Sequence, residues 1–416
     1  MNKKRIFLLA IAATLAWIGV VVCAGFGGAW MTTVAPEDDA DAFLAYAKDR
    51  LETQVPGAAA LLLIEDQKPA GEIFVSPSGS VDENTVFAAA SMSKWVAAYA
   101  VMTLVQDGLL ELDAPVERYL TRWQLPDTGF DNRGVTVRRL LSHTAGFDDG
   151  LGYADYAQDQ ALPTLEESLA NPKSSSGAEV RIGVGVEPGS EWRYSGGSYL
   201  LLELLVEEVS QLSFEEFVQR RIFDTLDMSR SGYAYLGSYD NNAGNFAADG
   251  TRIPASQYAS SAATGLVISS ADVARFALAQ LSAPDHAGLS PALVQAMRVP
   301  HGRTMGADIW GLGTILYAPT PGGDLVFGHD GSNDPAINTA ARINPETGDA
   351  LIVLVTGHPG IASNIGSEWV LWQTGYPDVL AFDAVLASMV APALWGLLAI
   401  AALAWLALWR RSRAQA

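Results

Sequence analysis

Two uncharged apolar runs, one near each end of the chain and each bordered by basic residues, limit what the rest can become. Lys3, Lys4 and Arg5 precede Ile6 to Met31, while Arg410, Arg411 and Arg413 follow Val385 to Trp409. Each run exceeds the roughly 20 apolar residues that cross a bilayer, and flanking Lys and Arg stay on the cytoplasmic side. The pattern predicts both tails inside and the middle outside, tethered at both ends. The first run reads equally as a cleaved signal peptide, with Gly27-Gly28-Ala29 as a small-residue cleavage site. Its Cys23 is the only cysteine, and Val22 before it lacks the small side chain that precedes a lipidated cysteine. The outer part therefore has no disulfide and needs a large core.

Charge narrows the partners. The formal net charge is −20, and the six basic residues named above sit at the ends, so the middle is more acidic still. Nucleic acid and anionic membrane surfaces are poor partners for such a surface. The acidic residues are scattered rather than run together, which reads as a solvated exterior.

Along the middle, Phe43, Leu44, Tyr46, Ala47 and Leu51 recur at helical spacing between Pro36, placed to open a helix, and Gln54. Ala58 to Ile64 and Gly71 to Ser76 read as strands joined by a polar turn, and Trp95 to Gln106 as a helix closed by Gly108. Gly150 to Val186 is polar and weakly periodic, the stretch expected to vary or move. Helices are expected over Tyr199 to Val209, from Ser213 to about Phe223, and over Ala262 to Leu281. Strands then return at Trp310 to Tyr317, Leu325 to Phe327, Ile337 to Ile343 and Ala350 to Val355, before a last helix from about Ser363 to Thr374. This order implies an α+β fold, an α/β sandwich whose antiparallel sheet is flanked by helices and split by an inserted, mostly helical lobe, plus a transmembrane segment at each end. The expected units are a signal peptide or anchor over 1–31, a hydrolase domain over 32–377, a transmembrane helix over 385–409 and a basic tail over 410–416. Within the domain, the sheet lobe takes about 32–90 and 300–377 and the helical lobe about 91–299. A site is expected where the lobes meet.

Three short stretches carry chemistry. Phe87-Ala88-Ala89-Ala90-Ser91-Met92-Ser93-Lys94 delivers a serine and a lysine, three residues apart, to the start of an apolar helix. On that spacing Ser91 Oγ and Lys94 Nζ come within reach, and an apolar setting disfavours the charged lysine by up to about 3–5 pKa units. A neutral lysine accepts the seryl proton, and the helix start offers N–H groups to an oxyanion. The other reading is a capping serine with a snorkelling lysine. Tyr194 in Arg193-Tyr194-Ser195-Gly196 sits at the mouth of a helix, as a proton relay or as an interfacial tyrosine with an anchored hydroxyl. Gly328-His329-Asp330-Gly331-Ser332 follows a strand, and its glycines let the backbone pass close to a ligand. His143, before Thr144-Ala145-Gly146, reads as a histidine that braces a turn.

In this order the three stretches resemble the serine β-lactamase and penicillin-binding group, in its branch of class C β-lactamases, D-aminopeptidases, D-Ala-D-Ala carboxypeptidases and esterases. The likeness runs from about Val55 to about Gly357 and takes in Leu140 to Gly146, Pro188-Gly189, Ile222 to Met228 and Trp310 to Gly313. It implies that Ser91 is the acylated nucleophile, Lys94 its proton partner and Tyr194 the general base or relay. It puts His329 and Gly331 where the family has Lys-Thr-Gly or His-x-Gly, and makes the N–H groups of Ser91 and Ser332 the oxyanion hole. Two departures stand out: the family's Tyr-x-Asn here ends in Gly196, and His329 replaces a lysine. Both weaken the grip on an acylamide and a carboxylate. The expected activity is ester or amide hydrolysis on a small-molecule or peptide substrate, outside the cytoplasm. D-amino-acid peptidase, β-lactamase and non-hydrolytic sensor or scaffold are the alternatives. No metal or organic cofactor is called for, since the histidines and the lone cysteine lack ligand spacing. The lipid bilayer is the other expected partner, through the terminal helices.

Overall fold

The computed structural model describes residues 3–77, 79–150, 155–172, 180–281, 288–334 and 336–415. Of the polar stretch from Gly150 to Val186, residues 151–154 and 173–179 lie outside the described residues. Helix α1 (Lys3–Phe26) is followed by α2 (Ala40–Gln54), which buries Phe43, Ala47 and Leu51, four residues apart and so on one face. The helix opens at Asp39 rather than at Pro36, because the Asp39 carboxylate accepts the Ala42 N–H at 2.9 Å. The Pro36 carbonyl is used instead by Trp372 Nε1, at 2.7 Å.

Strands β1 (Ala58–Glu65) and β2 (Lys68–Val75) come next, then helices α3 (Ser93–Gln106), α4 (Gly196–Ser210) and α5 (Ser270–Leu278). The chain returns to the sheet through β3 (Gly302–Thr304), β4 (Ala307–Trp310), β5 (Ile315–Pro319), β6 (Leu325–Asn333), β7 (Ile337–Asn344) and β8 (Asp349–Thr356). These eight strands form one antiparallel sheet in the order β3-β4-β5-β6-β7-β8-β1-β2. The first hairpin thus pairs with the last strand, and the intervening helices are an insertion. Register explains the continuous apolar run of β1: Leu62 opposite Ile352 faces the helical side, and Leu61 opposite Val353 faces α2 and α6 (Ile361–Thr374). With both faces covered, no polar alternation is needed. The sheet and its helices are the α+β sandwich expected.

Three further stretches of the domain differ from the sequence reading. Trp310 to Tyr317 is not one strand but the end of β4, a turn and the start of β5. Gly313 in that turn has φ +75° and sits so close to α3 that a Cβ would collide with the Ala98 side chain. Ala262 to Leu281 is not one helix: a π-helical turn (Ser261–Gly265) and a short strand (Val267–Ser269) precede α5, which starts where Ser269 Oγ accepts the Asp272 N–H. The short strand pairs with Val86–Ala88 and so brings the turn against the segment leading to Ser91. Strand β6 runs on to Asn333, so the Gly328 to Ser332 stretch lies inside a strand rather than after one.

Helix α7 (Phe382–Gln415) starts earlier than the expected 385 and carries Pro392 inside it. Helices α1 and α7 are the two described helices long and apolar enough to cross a membrane. They lie side by side. Trp17 Nε1 donates to the Pro392 carbonyl at 3.1 Å, and Val21, Val385 and Met389 are buried together.

Candidate active site

Ser91 lies in a one-turn 3₁₀ segment (Ala90–Met92) that feeds α3. Ala90 before it has φ +49°, a left-handed conformation that costs a non-glycine residue about 1–2 kcal/mol. The surroundings over-determine it. Ala89 N–H donates to Leu266 O at 2.9 Å, Thr339 Oγ1 donates to Ala89 O at 2.9 Å, and Ser93 Oγ donates to Ala90 O at 2.7 Å. Ser91, just after this kink, is half-buried, while Lys94 is fully buried one turn on.

Lys94 Nζ is 3.3 Å from Ser91 Oγ and donates to Ala263 O at 2.7 Å. Tyr194 Oη donates to the same Ser91 Oγ at 2.9 Å, and Lys94 Nζ stands 5.1 Å from the Tyr194 ring centre. The sequence brings Ser91 and Lys94 together by helical spacing; the fold adds Tyr194 from 103 residues away. Burial pushes the Tyr194 phenol up to about 12, partly offset by its bond to Ser91. At neutral pH it therefore stands as a phenol that donates to Ser91.

His143 occupies a left-handed position (φ +56°), where its Nδ1 accepts the Ser195 N–H at 3.1 Å. Its ring lies 4.5 Å from that of Tyr194 and 4.7 Å from that of Trp310. Burial lowers its pKa well below the ordinary value, so the ring is a neutral wall behind Tyr194. The brace expected of His143 is present, and it serves the tyrosine.

On β6, His329 is buried with its Nδ1 2.6 Å from Asp330 O. A carbonyl only accepts, so Nδ1 holds the proton and Nε2 is left as an acceptor, with no partner among the described residues. Burial drives its pKa down to about 3, so the imidazole is neutral and cannot ion-pair with a carboxylate. Gly331 passes so close to the serine turn that a Cβ would collide with Ala89 O and Thr339 Oγ1 and lie 3.1 Å from Ser91 N. Ser332 follows on the same strand, exposed and opposite Asn338. Gly196 heads α4, and its N–H is taken by Gly150 O at 2.7 Å. Gly196, where the family's Asn amide would stand, thus offers a substrate neither a free N–H nor a side chain.

Sequence reasoning missed the carboxylates that hold these parts. Asp149 accepts from Ser195 Oγ at 2.5 Å and from Gly197 N at 2.7 Å, fixing the mouth of α4 beside Tyr194; burial raises its pKa to about 6. Glu203 accepts from Ser260 Oγ at 2.7 Å and Ala262 N at 3.0 Å, and so secures the turn whose Ala263 O holds Lys94. Glu203, the one charge inside the apolar run Tyr199 to Val206, is the signal the sequence offers. Among the described residues no group of three or more His, Cys, Asp and Glu is placed to hold a metal ion.

Glu203 makes a pH prediction. Burial lifts its pKa from the ordinary 4.5 to about 8. The folded state therefore retains a proton that the unfolded chain has lost, and stability is complete below the unfolded value and falls as pH rises through about 8. The melting temperature should drop from about pH 6.5, above the Asp149 transition, and level off above about pH 8, as stability falls by about 2 kcal/mol over that window. Glu203→Gln should flatten that slope in a thermal melt. An unchanged slope in the variant would assign the effect elsewhere.

The sequence model of the β-lactamase family matches residues 37–375. The chain belongs to the β-lactamase family. It is 30% identical over 140 residues to penicillin-binding protein 4* of Bacillus subtilis strain 168, a match covering 34% of this chain and 29% of that relative's length. It is 26% identical over 341 residues to penicillin-binding protein 4 of Amycolatopsis lactamdurans, covering 77% and 85%. Among solved structures, the octameric penicillin-binding protein homologue from Pyrococcus abyssi is similar with a TM-score of 0.65 and 24% identity, over 80% of this chain and 76% of that one. The β-lactamase/D-alanine carboxypeptidase from Pseudomonas syringae is similar with a TM-score of 0.64 and 16% identity, over 79% and 98%. These likenesses place the fold of the chain among the serine hydrolases of the β-lactamase family.

Proposed function

We propose that this β-lactamase-family chain is a membrane-anchored, extracytoplasmic serine hydrolase that cleaves an ester or amide through an acyl-enzyme on Ser91. The observation that carries the reading is the convergence of Lys94 Nζ and Tyr194 Oη on Ser91 Oγ, at 3.3 Å and 2.9 Å. Ser91 Oγ adds to the substrate carbonyl as its proton passes to Lys94, directly or through the Tyr194 hydroxyl. The N–H groups of Ser91 and Ser332 hold the oxyanion, a contribution of about 2.7–4 kcal/mol per donor. Collapse breaks the bond to the leaving group, which takes the proton. Water then attacks the acyl-enzyme by the same proton route and restores Ser91 Oγ–H.

The substrate follows from the departures. His329 offers a neutral acceptor and Gly196 no amide, which favours neutral acyl groups over anionic acylamides. A neutral p-nitrophenyl ester should turn over with a kcat/KM above that for cephalosporins, and a fluorophosphonate should label Ser91. A kcat/KM for cephalosporins equal to or above the ester value would overturn this choice of substrate. Failure of the wild-type protein to take up the fluorophosphonate would favour a non-hydrolytic sensor.

For topology, α1 and α7 carry residues from about 32 to about 383 outside the cytoplasm with both tails inside. Reporter fusions after Arg413 and near Gly250 should then report opposite sides. The same side for both would refute two spans.

A further inference from the structure

Behind the sheet, on the face away from Ser91, Arg342 of β7 is fully buried. Its Nη1 donates to Asp330 Oδ1 and, at 3.2 Å, to Ala341 O; Nη2 donates to Asp330 Oδ2 at 3.2 Å; Nε donates to Asp378 Oδ2 at 3.1 Å. The guanidinium lies 3.5 Å above the Tyr317 ring centre, and the Tyr317 hydroxyl also donates to Asp330 Oδ1, at 3.0 Å. Gly366 of α6 leaves the room, since a Cβ there would be 3.1 Å from Arg342 Cζ. Taking a guanidinium out of water costs several kcal/mol, and apolar residues of similar volume often stabilise a core as well or better. Stability is thus a weak reason for this arrangement, and what it holds is the better one.

It holds Asp330 and Asp378. Successive residues of a strand face opposite ways, so the Asp330 side chain lies under α6 while His329 faces the site. The backbone carbonyl of the same Asp330 takes the His329 Nδ1 proton and leaves Nε2 as the acceptor. At the other end, Asp378 Oδ1 accepts the Leu380 N–H at 2.7 Å and starts the turn (Val379–Ala381) that leads into α7. We infer that Arg342 is a positioning residue for His329, clamped between Asp330 and Asp378 so that the root of the C-terminal helix fixes the imidazole acceptor that meets substrate. The inference rests on the proposed hydrolase reading of the Ser91 site.

The test uses the full chain in detergent micelles, with fluorophosphonate labelling of Ser91 to count competent sites and steady-state ester kinetics per labelled site. His329→Ala and Arg342→Gln should each raise KM about tenfold with kcat changed less than about threefold, as expected for loss of uniform binding. The double variant should be no worse than His329→Ala alone, because Arg342 acts through the histidine. Asp378→Asn, which keeps an acceptor oxygen, should raise KM about two- to threefold, and Arg342→Lys should fall between wild type and Arg342→Gln. A purely structural role gives the opposite pattern: fewer labelled sites with KM unchanged, and additive losses in the double variant. Either result would overturn the inference, and should Arg342→Gln yield no folded protein, Asp378→Asn and Arg342→Lys decide by the same KM criterion. Absence of wild-type labelling would instead count against the hydrolase reading itself.

Discussion

Ser91→Ala should reduce ester turnover to background, and Lys94→Ala and Tyr194→Phe should each lower kcat at least about 10²-fold, the low end for proton-transfer catalysis. The geometry sets this expectation. Both groups reach one oxygen, so removing either leaves Ser91 Oγ without a complete proton path. Groups that act as a unit lose activity non-additively, and the double change Ser91→Ala with Lys94→Ala should be little worse than Ser91→Ala alone. In quenched mass spectrometry the acyl adduct should sit on Ser91, and it should accumulate in Tyr194→Phe, where deacylation loses its relay. Other serines near the site are poorly placed. Ser142 Oγ is bonded to Thr144 Oγ1 at 2.8 Å and Ser198 Oγ to Ser195 Oγ at 3.0 Å, both in buried positions. An adduct on either, or wild-type turnover in Ser91→Ala, would discard the mechanism.

Gly331→Ala should be nearly as damaging, with kcat/KM down at least about 10²-fold, the scale of losing an oxyanion donor, and a lower melting temperature. The added methyl meets Ala89 O and Thr339 Oγ1, and neither can yield cheaply. Ala89 O is backbone and accepts from that same threonine, so β6 must retreat from the serine turn. Retreat carries the Ser332 N–H and the His329 ring away together. Overpacking of this kind costs about 1–3 kcal/mol in stability, which the melt would register while Ser91 labelling reports the site. Turnover within threefold of wild type would mean that β6 does not abut the nucleophile as described.

His143 shows how one residue divides between local pattern and assembled structure. Its place after an apolar helical run is enough to read a turn brace, and its Nδ1 does accept a backbone N–H. That the braced segment carries Tyr194, and that the imidazole lies against the phenol ring, depends on a contact 52 residues away in sequence. Glu203 and Arg342 were harder still. Each is buried on an element that carries no charge of opposite sign, and their roles exist only through Ser260, Asp330 and Asp378 on other elements.

By itself the sequence determined what short-range chemistry can determine: the two apolar runs, the strands read at Ala58 to Ile64 and Ala350 to Val355, which the structure extends by a residue, and the Ser91–Lys94 pairing, which needs only one helical turn. Periodicity and composition act over a few residues, and these features are complete within that range. Tertiary structure decided the rest. It kinked the chain at Ala90, ran β6 through the His329 motif, committed the Gly196 N–H to Gly150, and locked Arg342 behind the sheet. Each of these depends on burial, which removes water as an alternative partner and makes a polar group's position answer to whatever distant residue can satisfy it.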